Sequence, residues 1–354
     1  MKPVPIHASQ DYEVRIGAGL LSQLGERAKV FCQGGTVCLV SDDLVFSLYG
    51  EDAVERLEAA GLTVHTFVFP QGEQSKSGET FFRLVNALAQ YNLTRSDLLI
   101  AMGGGVTGDL GGFAAACYLR GIPYMQVPTS LLAMVDSSVG GKTAIDLPAG
   151  KNLCGAFYQP VEVLCDTECL QTLPRDIFRD GCAEVIKYGI LGSSSLFEQL
   201  KELERWTDPT DIIAACVAMK GRFVEADERD RGMRQQLNLG HTLGHAVEAG
   251  SGFQLSHGQS VAIGTAMIAR GAAQFGYCSA ETRDEILAIL EQYDLPTDTA
   301  QPADFLFETA CRDKKRQGST ISLVVPREIG HCELVKVPVE DVKQWIDAGF
   351  ATEM

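Results

Sequence analysis

Residues 98–119 read LLIAMGGGVTGDLGGFAAACYL. A short continuous apolar run, three glycines and a second apolar run at helical spacing predict a strand, a glycine turn and a helix. Gly103, Gly105 and Gly108 fit the pattern G-x-G-x-x-G. Glycines in such a turn let the backbone approach a pyrophosphate, and the helix start offers free N–H groups at the positive end of its dipole. Two details depart from the usual dinucleotide fingerprint. The turn follows the fourth candidate strand rather than the first. Pro128, Thr129 and Ser130 stand where an acidic residue is expected about 20 positions on. Correct flanking elements favour phosphate or dinucleotide binding over a plain tight turn, whereas Gly111 and Gly112 read as close helix packing.

The segments before and after repeat the same alternation. DYEVRIG (11–17), TVCLVSD (36–42), LTVHTFVF (62–69) and IPYMQVPT (122–129) are further candidate strands. LLSQLGERAKVF (20–31), DAVERLEAAG (52–61) and ETFFRLVNALAQYN (79–92) carry helical periodicity. Alternating β and α elements imply a parallel sheet with ligands beyond its carboxyl edge. From Pro174 the pattern changes. Residues 176–191, 211–228, 237–251, 258–276 and 283–294 all read as helices, and only TISLVVP (320–326) and HCELVKVP (331–338) read as strands. The expectation is an α/β, Rossmann-like domain over 1–173 and a mostly α-helical domain over 174–354.

With 354 residues, 45% of them hydrophobic, the chain can bury its cores without disulfides or metal staples. Acidic residues outnumber basic ones by 46 to 30, and a net charge of −16 argues against nucleic acid or an anionic membrane as partner. No apolar run reaches the roughly 18 residues of a membrane span; the longest, Val261 to Ala273, contains Arg270. The start lacks the apolar core of a secretory signal. Eleven cysteines without a CxxC pair predict reduced thiols in a cytoplasm.

Three of six histidines, His241, His245 and His257, fall within seventeen residues. His241 and His245 share a helix face, and His257 lies in the turn SHGQ before the next helix. Thr242 stands where a zinc protease needs glutamate, so HExxH is excluded. Glu184 lies on an earlier helix with Lys187 one turn on. Three protein ligands with one open position is the catalytic zinc arrangement. Spacing alone leaves His245 as either a ligand or a free acid/base. The stretch 128–160, PTSLLAMVDSSVGGKTAIDLPAGKNLCGAFYQP, sets Asp136, Lys142, Lys151 and Asn152 among glycines, which suits anion binding. It is not a P-loop, because Asp136 occupies the position of the first glycine. EADERDRG (225–232) reads as a solvated face and DKKRQG (313–318) as a basic surface turn.

Taken together, GGGVTGD, VPTSLLAMVDSSVGGKTAID, GKNLCGAFYQP, AEVIKYG, NLGHTLGHAVE, SHG and DKK resemble the 3-dehydroquinate synthase family, in order and spacing, from about Asp42 to Lys315. The resemblance implies an N-terminal NAD-binding domain, a helical C-terminal domain and a cytoplasmic homodimer. It implies conversion of 3-deoxy-D-arabino-heptulosonate 7-phosphate to 3-dehydroquinate in the shikimate pathway. Transient oxidation by NAD, phosphate elimination, re-reduction and an aldol closure follow one another with no net redox change. By the same resemblance zinc, or cobalt, is held by Glu184, His241 and His257, leaving His245 for proton transfer. NAD would meet Asp42, Glu73, Lys76, Gly104, Gly105, Val106, Thr107, Gly108, Asp109, Thr129, Ser130, Lys142, Lys151, Cys169 and Thr172. The sugar phosphate would meet Asp136, Lys142, Asn152, Lys187, Lys220, Arg234, Asn238, His245, Lys314 and Lys315, with Arg120 reaching the phosphate of the partner subunit. Departures from the family pattern are Gln259 where glutamate is usual, Ala144 where glycine is common, and Gln71. The rival readings are a cyclase of sedoheptulose 7-phosphate or glucose 6-phosphate, a metal-dependent polyol dehydrogenase, and a noncatalytic NAD- or metal-binding regulator.

Overall fold

A computed structural model describes residues 1–203, 206–252, 254–311, 316–317 and 319–350. The chain divides into two compact units, Met1–Pro174 with Asp208–Arg229, and Arg175–Thr207 with Asp230–Met354. The first therefore takes in a helix that the sequence pattern assigned to the helical half.

In the first unit the strands are β1 (Lys2–Ile6), β2 (Tyr12–Gly17), β3 (Thr36–Asp42), β4 (Thr63–Phe69), β5 (Leu98–Gly103), β6 (Tyr124–Pro128), β7 (Lys142–Leu147), β8 (Gly150–Phe157) and β9 (Glu162–Asp166). Its first helices are α1 (Leu24–Phe31), α2 (Asp43–Val45), α3 (Glu51–Ala59), α4 (Gly78–Gln90) and α5 (Gly105–Cys117). Seven strands form one sheet in the order β1-β2-β9-β6-β5-β3-β4, all neighbours parallel except β1 and β2. β5 is buried along its whole length, as a central parallel strand covered on both faces must be. One face packs with α4 and α5 around Leu84, Leu110 and Phe113, and the other with α1 and α3 around Leu24, Leu57 and Ile100. β3 leads outward to β4, whereas β5 begins on the opposite side of β3. The chain thus reverses direction between β3 and β5, where open α/β sheets bind ligands. The glycine turn sits at that point, after the fifth strand rather than the fourth, because Lys2–Ile6 is also a strand.

Chain order continues with α6 (Arg175–Gly192), α7 (Ser194–Glu202), α8 (Thr210–Ala226), α9 (His241–Gly250), α10 (His257–Gln274), α11 (Ala280–Gln292), α12 (Ala303–Cys311) and α13 (Val342–Gly349). α8 belongs to the first unit and packs on β1 and β2; a Cβ at Gly221 would lie 2.8 Å from the tip of Ile6. The second unit packs α10 against α6, α9, α11 and α13. It carries an antiparallel sheet of β10 (Arg316–Gln317), β11 (Thr320–Glu328) and β12 (His331–Pro338). α10 starts at His257, which is helical rather than in a preceding turn. Among the described residues no helix is long and apolar enough to cross a membrane.

Candidate functional site

The turn after β5 is shaped by what its glycines touch. A Cβ at Gly103 would lie 2.4 Å from the Thr107 hydroxyl, and one at Gly108 would lie 2.5 Å from Gln126 Oε1. Neither position has room for a side chain. Gly104 caps α5 with no side-chain partner, so the first amides of the helix keep their donors for a ligand. Thr129 donates its N–H to Gly103 O at 3.0 Å, which sets Thr129 and Ser130 beside the turn. Asp42 ends β3 and accepts from Val45 N at 2.9 Å. This cradle fits a nucleotide pyrophosphate.

Behind the turn Lys76, buried at 5% exposure, places Nζ 2.6 Å from both Asp109 Oδ2 and Asn152 Oδ1. Burial works against its charge, but Asp109 and Glu73 outweigh burial and hold the ammonium above its ordinary pKa. Lys151 lies 3.9 Å from Glu73, whose own carboxyl burial pushes up. Asn152 sits in the left-handed region at φ 56° and donates its N–H to Asp146 Oδ1 at 2.8 Å. The stretch from Lys142 to Phe157, read from sequence as an anion-binding loop, is an antiparallel hairpin, with Lys142 exposed at its start. Lys220 on α8 donates to both Asp136 O at 2.7 Å and Asp136 Oδ1 at 2.8 Å. Tyr49 links by its hydroxyl to Thr172 and to the Cys169 carbonyl. Arg120 is exposed at the far end of α5, roughly 20 Å from the turn for a helix of this length. Sequence reasoning passed over Tyr49 and Asp146. It also read Glu228 as solvated, whereas Glu228 accepts from Ser9 and Gln159.

In the second unit Glu184, His241 and His257 each bring one ligand atom within 4.8 Å of the others. Glu184 Oε1 lies 3.3 Å from the Nε2 atoms of both histidines, and its other oxygen pairs with Lys187. Burial opposes the Glu184 charge, but Lys187, paired with its other oxygen, outweighs burial and holds the carboxyl well below its usual range. Burial pushes His241 down to about 3, so this ring is neutral. Its Nδ1 lies 3.0 Å from Leu239 O. A carbonyl only accepts, so the one proton sits on Nδ1 and the Nε2 lone pair faces an ionised carboxylate oxygen. Two electron-rich atoms aimed at each other across 3.3 Å call for a cation between them. The donor set suits zinc or another divalent metal. His257 is shifted the other way: burial lowers it, but Glu184 and the charges of Glu248 and Asp180 outweigh burial.

His245 stands one helical turn after His241, with ring centroids 5.6 Å apart, and 6.3 Å from His257. It is outside the three-ligand cluster. Lys187 and Arg234 are buried at 2% and 1% exposure. Arg234 and Asn238 share the 3₁₀ turn Met233–Asn238 that leads into α9. Lys314 and Lys315 lie outside the described residues.

The chain has the fold of the sugar-phosphate cyclases, a fold that an iron-containing alcohol dehydrogenase also matches at a TM-score of 0.68 and 15% identity. A solved 2-epi-5-epi-valiolone synthase from Streptomyces hygroscopicus, with NAD+ and Zn2+ bound, matches 97% of this chain and 96% of its own at a TM-score of 0.87 and 25% identity. The family models "3-dehydroquinate synthase N-terminal" and "3-dehydroquinate synthase C-terminal" match residues 66–180 and 181–316. The 3-dehydroquinate synthase of Clostridium acetobutylicum is 39% identical over 98% of this chain and 99% of its own. That of Pelobacter propionicus is 44% identical over 94% of each. This chain belongs to the 3-dehydroquinate synthase family.

Proposed function

We propose that this chain converts 3-deoxy-D-arabino-heptulosonate 7-phosphate to 3-dehydroquinate and phosphate. The observation that carries the reading is identity of 39–44% over nearly the whole length to synthases of that reaction, against 25% to a cyclase of the same fold. Asp42, the Gly104–Asp109 turn, Thr129, Ser130, Lys151 and Thr172 would hold NAD, and Glu184, His241 and His257 would hold zinc or cobalt. When bound, these groups supply a reversible hydride acceptor and a Lewis acid for a substrate hydroxyl. The chain's own residues do the rest. Arg234 binds oxyanions as a planar fork, and Lys142, Lys187 and Lys220 act as point charges. Asp136 and Asn152 fix the lysines beside them. His245 binds substrate and moves a proton during the reaction. We place the enzyme in the cytoplasm as a homodimer; its eleven unbridged cysteines suit a reducing compartment, and Arg120 is exposed, as a residue that serves a partner subunit must be.

Purified protein with NAD and zinc, offered the heptulosonate phosphate, sedoheptulose 7-phosphate and glucose 6-phosphate in turn, tests the substrate. The expected result is phosphate release and a ring product from the first alone. Preferred turnover of either other sugar would move the chain to a neighbouring cyclase.

A further inference from the structure

The three donors of the metal cluster are not held alike. Glu184 is fully buried and braced by Lys187, and His241 is braced by the Leu239 carbonyl. Among the described residues the His257 ring has one polar partner, Glu184 itself, and its side chain is 34% exposed. His257 is also the first residue of α10, where helices fray. Its aim therefore depends on how firmly the start of α10 is fixed.

One side chain fixes it. Asp180 lies on α6 four residues before Glu184, one turn away on the same face. Asp180 Oδ1 accepts from Gln259 N at 3.1 Å and from the Ser256 hydroxyl. Ser256 and Gln259 also close on each other, with Ser256 N donating to Gln259 Oε1 at 3.0 Å in a capping box. Between them a Cβ at Gly258 would lie 2.1 Å from Asp180 O, so α10 meets the α6 backbone with no space for a side chain. The residues on both sides of His257 are thus tied to the helix that carries Glu184, and an ionised carboxylate at a helix start is favoured by the free amides and the dipole.

We propose that Asp180 is a positioning residue for the metal centre: by clamping the first turn of α10 to α6 it aims His257 at the ion. This rests on Glu184, His241 and His257 being the ligands. The family resemblance implied those three and no clamp.

The test is cobalt(II) and zinc(II) affinity of the whole chain, by chelator competition, for Asp180→Ala, Asp180→Asn and His257→Ala, with circular dichroism to confirm folding and the cobalt absorption bands to report ligand geometry. Asp180→Ala should weaken binding about 10- to 100-fold, the range for lost outer partners of metal ligands, and shift the cobalt bands. Asp180→Asn keeps the acceptor oxygen and should recover most of the affinity. Unchanged affinity and bands in Asp180→Ala, or Asn as weak as Ala, would overturn the clamp. His257→Ala that still binds metal at parent affinity would instead overturn the ligand set beneath it. Should Asp180→Ala fail to fold, Ser256→Ala removes one donor to the same oxygen and must weaken binding in the same direction, or the clamp is wrong.

Discussion

His241 and His245 lie one helical turn apart, and the rings of both lie near His257. His241 gives its proton to Leu239 O and turns a bare nitrogen on Glu184. His245, on the same helix, is not among the three donors that converge. Sequence spacing made the pair visible but gave both the same face, because i and i+4 positions are equivalent until a third element arrives to select one. Glu184 is that element, and it comes from a helix more than fifty residues earlier in the chain. His245→Ala should keep stoichiometric metal and lose turnover by about 100-fold or more, in the range for a lost acid/base group. His257→Ala should lose the metal. Metal analysis of the two purified variants checks this, and a reversed pattern would exchange the roles of the two histidines. Asp180 shows what a list of candidate ligands leaves out. Its partners spell S-x-x-Q across Ser256 and Gln259, a capping-box signal present in the sequence, yet nothing local says that an acid from α6 would join it.

At the scale of elements, the long periodic segments were readable, whereas β1, the β7–β8 hairpin, β9 and the short helices α7, α12 and α13 were not. α4 and α11 bury one stripe each, as their spacing predicts. β1 was missed because KPVPI holds two prolines, which a sheet accepts at an edge, where β1 lies. The β7–β8 hairpin was missed because its apolar residues do not alternate inward: Leu147, Leu153 and Phe157 are exposed. α8 was assigned to the wrong unit because periodicity reports that a face is apolar and not which sheet it covers. The packing of α5 gives a measurable consequence. A Cβ at Gly112 would sit 2.5 Å from Thr143 Cγ2 and 3.1 Å from the Tyr124 ring. Gly112→Ala gains about 1 kcal/mol of helix propensity, but overpacking costs about 1–3 kcal/mol, and valine adds bulk to the same contact. Gly112→Val should therefore lower the melting temperature in a thermal scan, and an unchanged or higher value would show that β7 gives way easily.

For the whole molecule, the two halves of the chemistry were legible to different degrees. The nucleotide turn announces itself because phosphate binding needs glycines in sequence. The metal cluster needs residues 184, 241 and 257 brought together by packing; the sequence brought out these three together with His245, and only the resemblance to a family chose among the four. The structure adds the physical reason a cation belongs there, a bare imidazole nitrogen facing a carboxylate. The proposed reaction oxidises and re-reduces one sugar phosphate without net redox change. The direct measurement follows phosphate release and NADH absorbance together on the purified protein with the heptulosonate phosphate, NAD and zinc, with and without a chelator. Phosphate release with no accumulating NADH, abolished when the metal is withdrawn, is the expected result. Steady NADH formation would contradict it and mark a dehydrogenase.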